Sequence, residues 1–197
     1  MGDSTSRSMT PLRLFDLGAR LMFLFCRRNH MAVPRLVLYG SPWRISACAY
    51  YRPTTIHVNI AHTARLGYGG RAWSWPGYVV DRTPYGVIQH ELGHHVDWLL
   101  SGRSKRRWSG DLSAKIRQES KSKPISGYCP NDEEWFAEMF RLFVTNPDLL
   151  KSIRPSVYVA LRDQGLKPYF RATWKSLLEG APKRTIAQAA KKIKEVK

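Results

Sequence analysis

Cysteine is scarce in this chain of 197 residues. The three present, Cys26, Cys48 and Cys129, are far apart, odd in number and form no C-x-x-C pair. A disulfide framework needs an even set of cysteines, and a cysteine zinc ribbon needs closely spaced pairs. The composition therefore argues against both classes and is compatible with a reducing compartment.

A long hydrophobic run is also missing. No segment approaches the roughly 18 apolar residues of a membrane span. Near the N-terminus the longest apolar piece, Leu21 to Cys26, is too short for a convincing signal-peptide core, and no clean cleavage site follows it. We expect no transmembrane segment, and a protein that is cytoplasmic or released by a non-classical route. The segment from Leu12 to Cys26 is predicted to form an amphipathic helix, packed on the domain or lying on a surface.

Acidic residues are few: 15 Asp and Glu stand against 32 Lys and Arg, which gives a net charge of +17. Such a charge favours acidic partners such as nucleic acid, an anionic membrane or an acidic substrate region. A basic loop, residues 101–123, holds eight Lys or Arg and two acids, and a basic tail follows at 181–197. These two segments are the candidate polyanion contacts. The loop could instead be simply solvated, or a lid that faces a substrate.

Hydrophobic periodicity predicts an α+β protein, with a small mixed β-sheet and a mainly helical C-terminal half. The predicted strands cover 35–39, 45–51, 54–60 and 77–81. The predicted helices cover 12–28, 85–100, 113–119, 131–144, 148–164 and 169–179. We divide the chain into a partly helical N-terminal extension (1–32), one domain (33–180) and the basic tail, and expect a monomer.

The densest chemical information lies in His90-Glu91-Leu92-Gly93-His94, an H-E-x-x-H segment inside a predicted helix. Histidines four residues apart lie on one face of a helix, so both imidazoles can bind one tetrahedral Zn²⁺. Glu91 is rotated by about 100° from His90, which places its carboxylate where it can take a proton from a water at the metal. Gly93 is interpreted as removing side-chain bulk beside the metal.

A catalytic zinc needs a third protein ligand, and the helix predicted from Asn131 offers several carboxylates. The natural assignment makes Glu134 the ligand and Glu138, one turn later, a second-shell carboxylate that orients a metal histidine. The alternative is that these acids only cap a helix. Asp97 shares the ligand face of the first helix and is a further candidate for a carboxylate that orients a metal histidine, or a competing third ligand. The remaining histidines, at positions 30, 57, 62 and 95, have no partner at metal spacing and are expected to be packing or surface residues.

Two stretches, His90-Glu91-Leu92-Gly93-His94-His95-Val96-Asp97 and Glu134-Trp135-Phe136-Ala137-Glu138-Met139-Phe140-Arg141, together with Tyr128, resemble the catalytic domain of the anthrax toxin lethal factor family. That family includes the secreted Pro-Pro endopeptidases. The resemblance covers about residues 85–145 and implies a zincin-like fold of the gluzincin type, with one Zn²⁺ on His90, His94 and Glu134. It also implies that Glu91 is the general base and that Tyr128 stabilises the oxyanion or donates a proton. Tyr128 precedes Glu134 by six residues, whereas seven is usual in the family.

The expected function is therefore that of a zinc endopeptidase whose substrate is an extended protein segment, bound along the edge strand near Tyr78 to Asp81. Two alternatives remain open. Intracellular metallopeptidases of the ImmA/IrrE type, which cleave repressors, share H-E-L-G-H and a later E-x-x-x-F-A helix. A basic nucleic-acid- or virion-associated binding protein with a non-catalytic zinc site would also account for the charge.

Overall fold

The computed structural model describes residues 11–40, 49–61, 84–101, 111–125 and 129–168. Within them lie three strands: β1 (Arg35–Tyr39), β2 (Ala49–Arg52) and β3 (Thr55–Asn59). The helices are α1 (Pro11–Arg28), α2 (Pro84–Leu100), α3 (Asp111–Ser120), α4 (Asp132–Thr145), α5 (Pro147–Ile153) and α6 (Pro155–Asp163). The predicted α+β class, with a small sheet and a mainly helical C-terminal half, is confirmed.

The three strands form one mixed sheet in the order β1-β3-β2. The central strand β3 is parallel to β1 and antiparallel to β2, so that His57 lies between Val37 and Tyr50. Its alternate residues Ile56 and Val58 are fully buried, as expected for a strand with one face on the core. Helix α2 packs against β2 and β3, and the sheet therefore supports the helix that carries the H-E-x-x-H segment.

Helix α1 is packed on the domain, the first of the two arrangements expected for it. Its buried side chains include Phe25, whose ring meets that of Phe140 in α4 edge to face, with 5.3 Å between the centroids. At Gly18 the backbone of α1 lies so close to α2 that an added Cβ would stand 3.0 Å from the Cα of Tyr85. The Gln89 side-chain amide donates to the Gly18 carbonyl at 2.8 Å. Helix α1 thus shares its core with the two helices that carry the motifs.

The prediction of one helix over 148–164 is wrong, because α5 and α6 are separated at Arg154. Pro155 has no N–H and crowds the residue before it, which is pushed out of the helical region; Arg154 has φ −143° and ψ 64°. The guanidinium of Arg154 donates to the carbonyls of Lys123 and Pro124. The break between α5 and α6 is therefore held by hydrogen bonds to the segment that follows α3.

Other predicted boundaries differ by only a few residues. Helix α4 begins after Asn131, as predicted, and Asn146-Pro147 ends it. The predicted strand at 77–81, the helix at 169–179 and the basic tail lie outside the described residues, as does the start of the strand predicted at 45–51. None of the described helices combines the length and the apolar character needed to cross a lipid bilayer.

We predict that Phe25→Ala lowers the free energy of unfolding by about 3–5 kcal/mol, since it removes a fully buried ring and leaves a cavity against Phe140. Phe23→Ala is the matched control, because Phe23 is 44% exposed on the same helix and its loss should cost no more than about 0.5 kcal/mol. Denaturant unfolding of both variants measures the difference. Equal values would show that α1 is not part of the core.

Candidate metal centre

The centre is built where α2 crosses α4. Gly93 on α2 faces Ala137 on α4, and a Cβ added at Gly93 would lie 2.8 Å from the Ala137 Cα and 3.3 Å from the Phe140 Cβ. Real side chains do not approach so closely, so a glycine at this position permits backbone contact between the helices. The sequence interpretation of Gly93 as space beside the metal is therefore corrected: the missing side chain makes room for Ala137.

This crossing brings three side chains together. His90, His94 and Glu134 each offer one ligand atom, and these atoms lie within 4.8 Å of one another. The carboxylate oxygen Oε2 of Glu134 is 2.9 Å from His90 Nε2 and 3.6 Å from His94 Nε2. Among the described residues this is the group whose atoms could hold a metal ion. The site is therefore assembled from both predicted helices, as their spacing indicated.

The donor set suits Zn²⁺. Two imidazole nitrogens and one carboxylate oxygen are typical of a catalytic zinc site, and ligand atoms about 2.0–2.2 Å from a tetrahedral ion are separated by about 3.3 Å. The observed separations of 2.9 and 3.6 Å lie on either side of that value. The Glu134 carboxylate is therefore at a suitable distance from both imidazoles to share one ion with them.

Glu138 lies on the other side of His90. Its Oε1 is 2.7 Å from His90 Nδ1, a contact in which Nδ1–H donates to the carboxylate and which leaves Nε2 directed toward Glu134 and His94. The same oxygen accepts a hydrogen bond from the Arg141 guanidinium, and both Glu138 and Arg141 are buried. Arg141 therefore supplies a positive charge next to the Glu138 carboxylate, which is buried beside the candidate ligands.

The side chains of this site polarise one another strongly. Burial lowers the pKa of His90, but its contacts with Glu134 and Glu138 outweigh burial and raise that pKa to about 9. Burial raises the pKa of Glu134, but its contacts with His90 and His94 bring it well below the usual range. The site thus pairs a protonated imidazole with an ionised carboxylate, and a metal ion would replace that proton as the positive charge.

Glu91 has a different environment. It is buried on α2 beside the ligand histidines, and burial raises its pKa against the opposing effects of His90 and His94. Glu134 is close enough to add to the rise. A carboxyl group whose pKa is shifted upward, toward working pH, is suited to accept a proton and then return it.

Asp97 has a role that sequence reasoning missed. Its Oδ1 accepts from the backbone N–H of Ser113 at 3.0 Å and from the hydroxyl of Ser101 at 3.2 Å. These contacts connect the end of α2 with the first turn of α3. Asp97 is not in the group of three that could hold a metal, and Tyr128 lies outside the described residues.

His95, expected to be a packing histidine, joins α2 to the rest of the fold. Its Nδ1 is 3.1 Å from the Tyr51 hydroxyl in β2, and its Nε2 is 2.9 Å from the Ala32 carbonyl. The residue is almost fully buried, so both ring nitrogens have polar partners away from water. These partners could not be predicted from the sequence, because both are more than 40 residues away from His95.

The part of the basic loop that the structure describes is mostly helix. α3 packs on α4 and α6, with Leu112 and Ile116 buried. Arg117 forms an ion pair with Asp132 at 2.6 Å and lies over the Trp135 ring. This part of the loop is therefore attached to the helix that supplies Glu134.

Comparisons with protein-family models, with curated proteins and with solved structures returned no match for this chain.

We predict that Gly93→Ala weakens metal binding, because the new Cβ must push α2 away from Ala137 and so move the histidines from Glu134. The overpacking cost of about 1–3 kcal/mol exceeds the gain of up to about 1 kcal/mol in helix propensity. Gly40→Ala is the control, since a Cβ at Gly40 would meet nothing within 4 Å. Zinc titration and thermal unfolding of both variants test the idea, which fails if Gly93→Ala binds zinc as tightly as the parent.

We predict that Arg141→Met destabilises the metal-free protein by about 3–5 kcal/mol, because it removes the guanidinium that pairs with the buried Glu138 carboxylate. Adding Glu138→Gln should restore much of that stability, since the buried charge is then gone. The double variant should still bind zinc about 10–100-fold more weakly, because His90 has lost its carboxylate partner. Denaturant unfolding and zinc titration of the two single variants and the double variant complete the cycle; strictly additive stabilities would contradict the pairing.

Proposed function

We propose that this protein is a zinc-dependent endopeptidase of the gluzincin type, with His90, His94 and Glu134 as the metal ligands. The observation that carries the proposal is that these three side chains converge on one point beside a buried Glu91 with a raised pKa. This convergence supports the ligand set that the resemblance to the lethal factor family implies.

A zinc ion held there would polarise the scissile carbonyl and lower the pKa of the attacking water. Glu91 would take a proton from that water and then return it to the leaving amine. Glu138 would keep His90 in one tautomer and one orientation throughout. Tyr128 remains the candidate for the oxyanion contact, and the edge strand near Tyr78 to Asp81 remains the candidate peptide-binding strand; neither is among the described residues.

The number of ligands favours a catalytic zinc over the structural zinc of a binding protein. Structural zinc sites are closed by four protein ligands, whereas catalytic sites have three and leave one position for water or substrate. The group found among the described residues has three members. The lethal-factor-like and ImmA/IrrE-like alternatives both lead to a zinc peptidase, and the substrate separates them.

We predict that Glu91→Gln retains zinc but lowers peptide cleavage by about 10²–10⁴-fold, since the amide cannot accept the proton. The measurement is zinc content by elemental analysis together with cleavage of a peptide library, with and without a chelator. Glu133→Gln is the matched control, because it neutralises a carboxylate next to Glu134 that is not among the three converging side chains.

The control should cleave like the parent, and His90→Ala should lose both zinc and cleavage. If Glu91→Gln cleaves at the parent rate, Glu91 is not the base. If the parent binds zinc but cleaves no member of the library and no unfolded protein, the proposed activity is wrong.

A further inference from the structure

Helix α1 has two sharply different sides. At 100° per residue, its buried residues Leu14, Gly18, Leu21, Met22, Phe25 and Cys26 fall within one arc of about 140°. The opposite arc, of about 160°, holds every exposed residue of the helix whose side chain is described. The buried arc is occupied by the packing against α2 and α4, which leaves the second arc facing outward.

That outward arc is unusual because it is apolar as well as cationic. Leu12, Leu17 and Phe23 are 59%, 38% and 44% exposed. An ordinary solvated helix face carries polar and charged residues instead. Leu12 and Phe23 lie about 20° apart around the axis and Leu17 lies near the other edge of the arc, so large apolar side chains border its cationic side chains on both sides, an arrangement suited to contact with a partly apolar surface.

The charge of the same arc identifies the chemistry of that contact. Arg13, Arg20, Arg27 and Arg28 are all exposed on it, whereas Asp16 is its one acid. The guanidinium of Arg27 lies 5.7 Å from the centre of the Phe23 ring, so a cation and an exposed aromatic ring point outward as a pair. Cationic side chains interspersed with Leu and Phe match an anionic lipid surface, where the arginines meet headgroups and the apolar side chains enter the acyl boundary.

We propose that the outward face of α1 docks the protein on an anionic membrane surface. The helix would lie along the surface, with Leu12, Leu17 and Phe23 inserted and the four arginines at the headgroups. The net charge of +17 would draw the whole protein to the same surface. This docking is independent of the metal centre, whose three side chains belong to α2 and α4.

The test is sedimentation of the full chain with vesicles of phosphatidylcholine, with and without phosphatidylserine. The parent should sediment with the anionic vesicles and not with the neutral ones. Arg20→Gln/Arg27→Gln/Arg28→Gln should weaken binding at least about tenfold, since each basic residue near such a surface contributes about fivefold. Leu12→Ser/Phe23→Ser, which changes no charge, should also weaken it at least about tenfold.

Matched controls separate docking by α1 from general adsorption of a basic protein. Lys151→Gln/Arg162→Gln/Lys167→Gln removes the same charge from exposed positions elsewhere, and Leu100→Ser/Val159→Ser removes two other exposed apolar side chains. Both controls should bind within about twofold of the parent. Circular dichroism and thermal unfolding of each variant confirm that it folds.

Three results would overturn the proposal. Equal losses in the α1 charge variant and its control would show that only total charge matters. Parent-like binding by Leu12→Ser/Phe23→Ser would show that nothing inserts. Light scattering provides the third result. If the parent is a dimer that Phe23→Ser dissociates, and the parent does not bind vesicles, the outward face of α1 contacts a second copy of the chain.

Discussion

The backbone contact between Gly93 and Ala137 is the constraint on which the rest of the centre depends. Helices that pack through ordinary side chains have axes about 8–10 Å apart, whereas a glycine at the crossing lets two helices approach more closely. A glycine opposite an alanine brings α2 and α4 close enough for Glu134 to reach both histidines. The contact is apolar and lies against Phe140, so the position of a polar site is set by core packing. A one-carbon change at Gly93 would therefore act on the ligands without touching them.

Buried charge imposes a second constraint. His90, Glu138 and Arg141 are all withdrawn from water, and an unpaired charge in such a place is costly. The chain resolves this by alternating signs: Glu134 and Glu138 flank the imidazole, and Arg141 follows Glu138. Removing one of these charged side chains would leave its neighbour buried without an opposite charge. The network thus ties the orientation of His90, a candidate metal ligand, to the stability of α4.

The sequence allowed most of the helices and the pairing of His90 with His94 to be predicted because these depend on local spacing, whereas Glu134, 44 residues from His90, was chosen because a catalytic zinc needs a third ligand. His90 and His94 are one turn apart, and Glu134 and Glu138 repeat that relation. Arg141 could have been found in the same way, since it is three residues after Glu138 and shares its face. The partners of Asp97 and His95 could not, because only the folded chain brings Ser113, Tyr51 or Ala32 to them. Gly93 was singled out for the wrong reason, since a missing side chain does not reveal what fills its place.

A second close approach occurs near the start of α2. An added Cβ at Gly18 of α1 would stand 3.0 Å from the Tyr85 Cα, so α2 is approached at backbone distance by both α1 and α4. His95 attaches it to β2 and to the segment before β1, and Asp97 attaches its end to α3. A helix fixed in so many directions has little freedom to rotate about its axis, and rotation is the motion that would separate His90 and His94 from Glu134. Preorganisation of the ligands by packing is what a metal site on a rigid scaffold requires, and here α1 contributes to it directly.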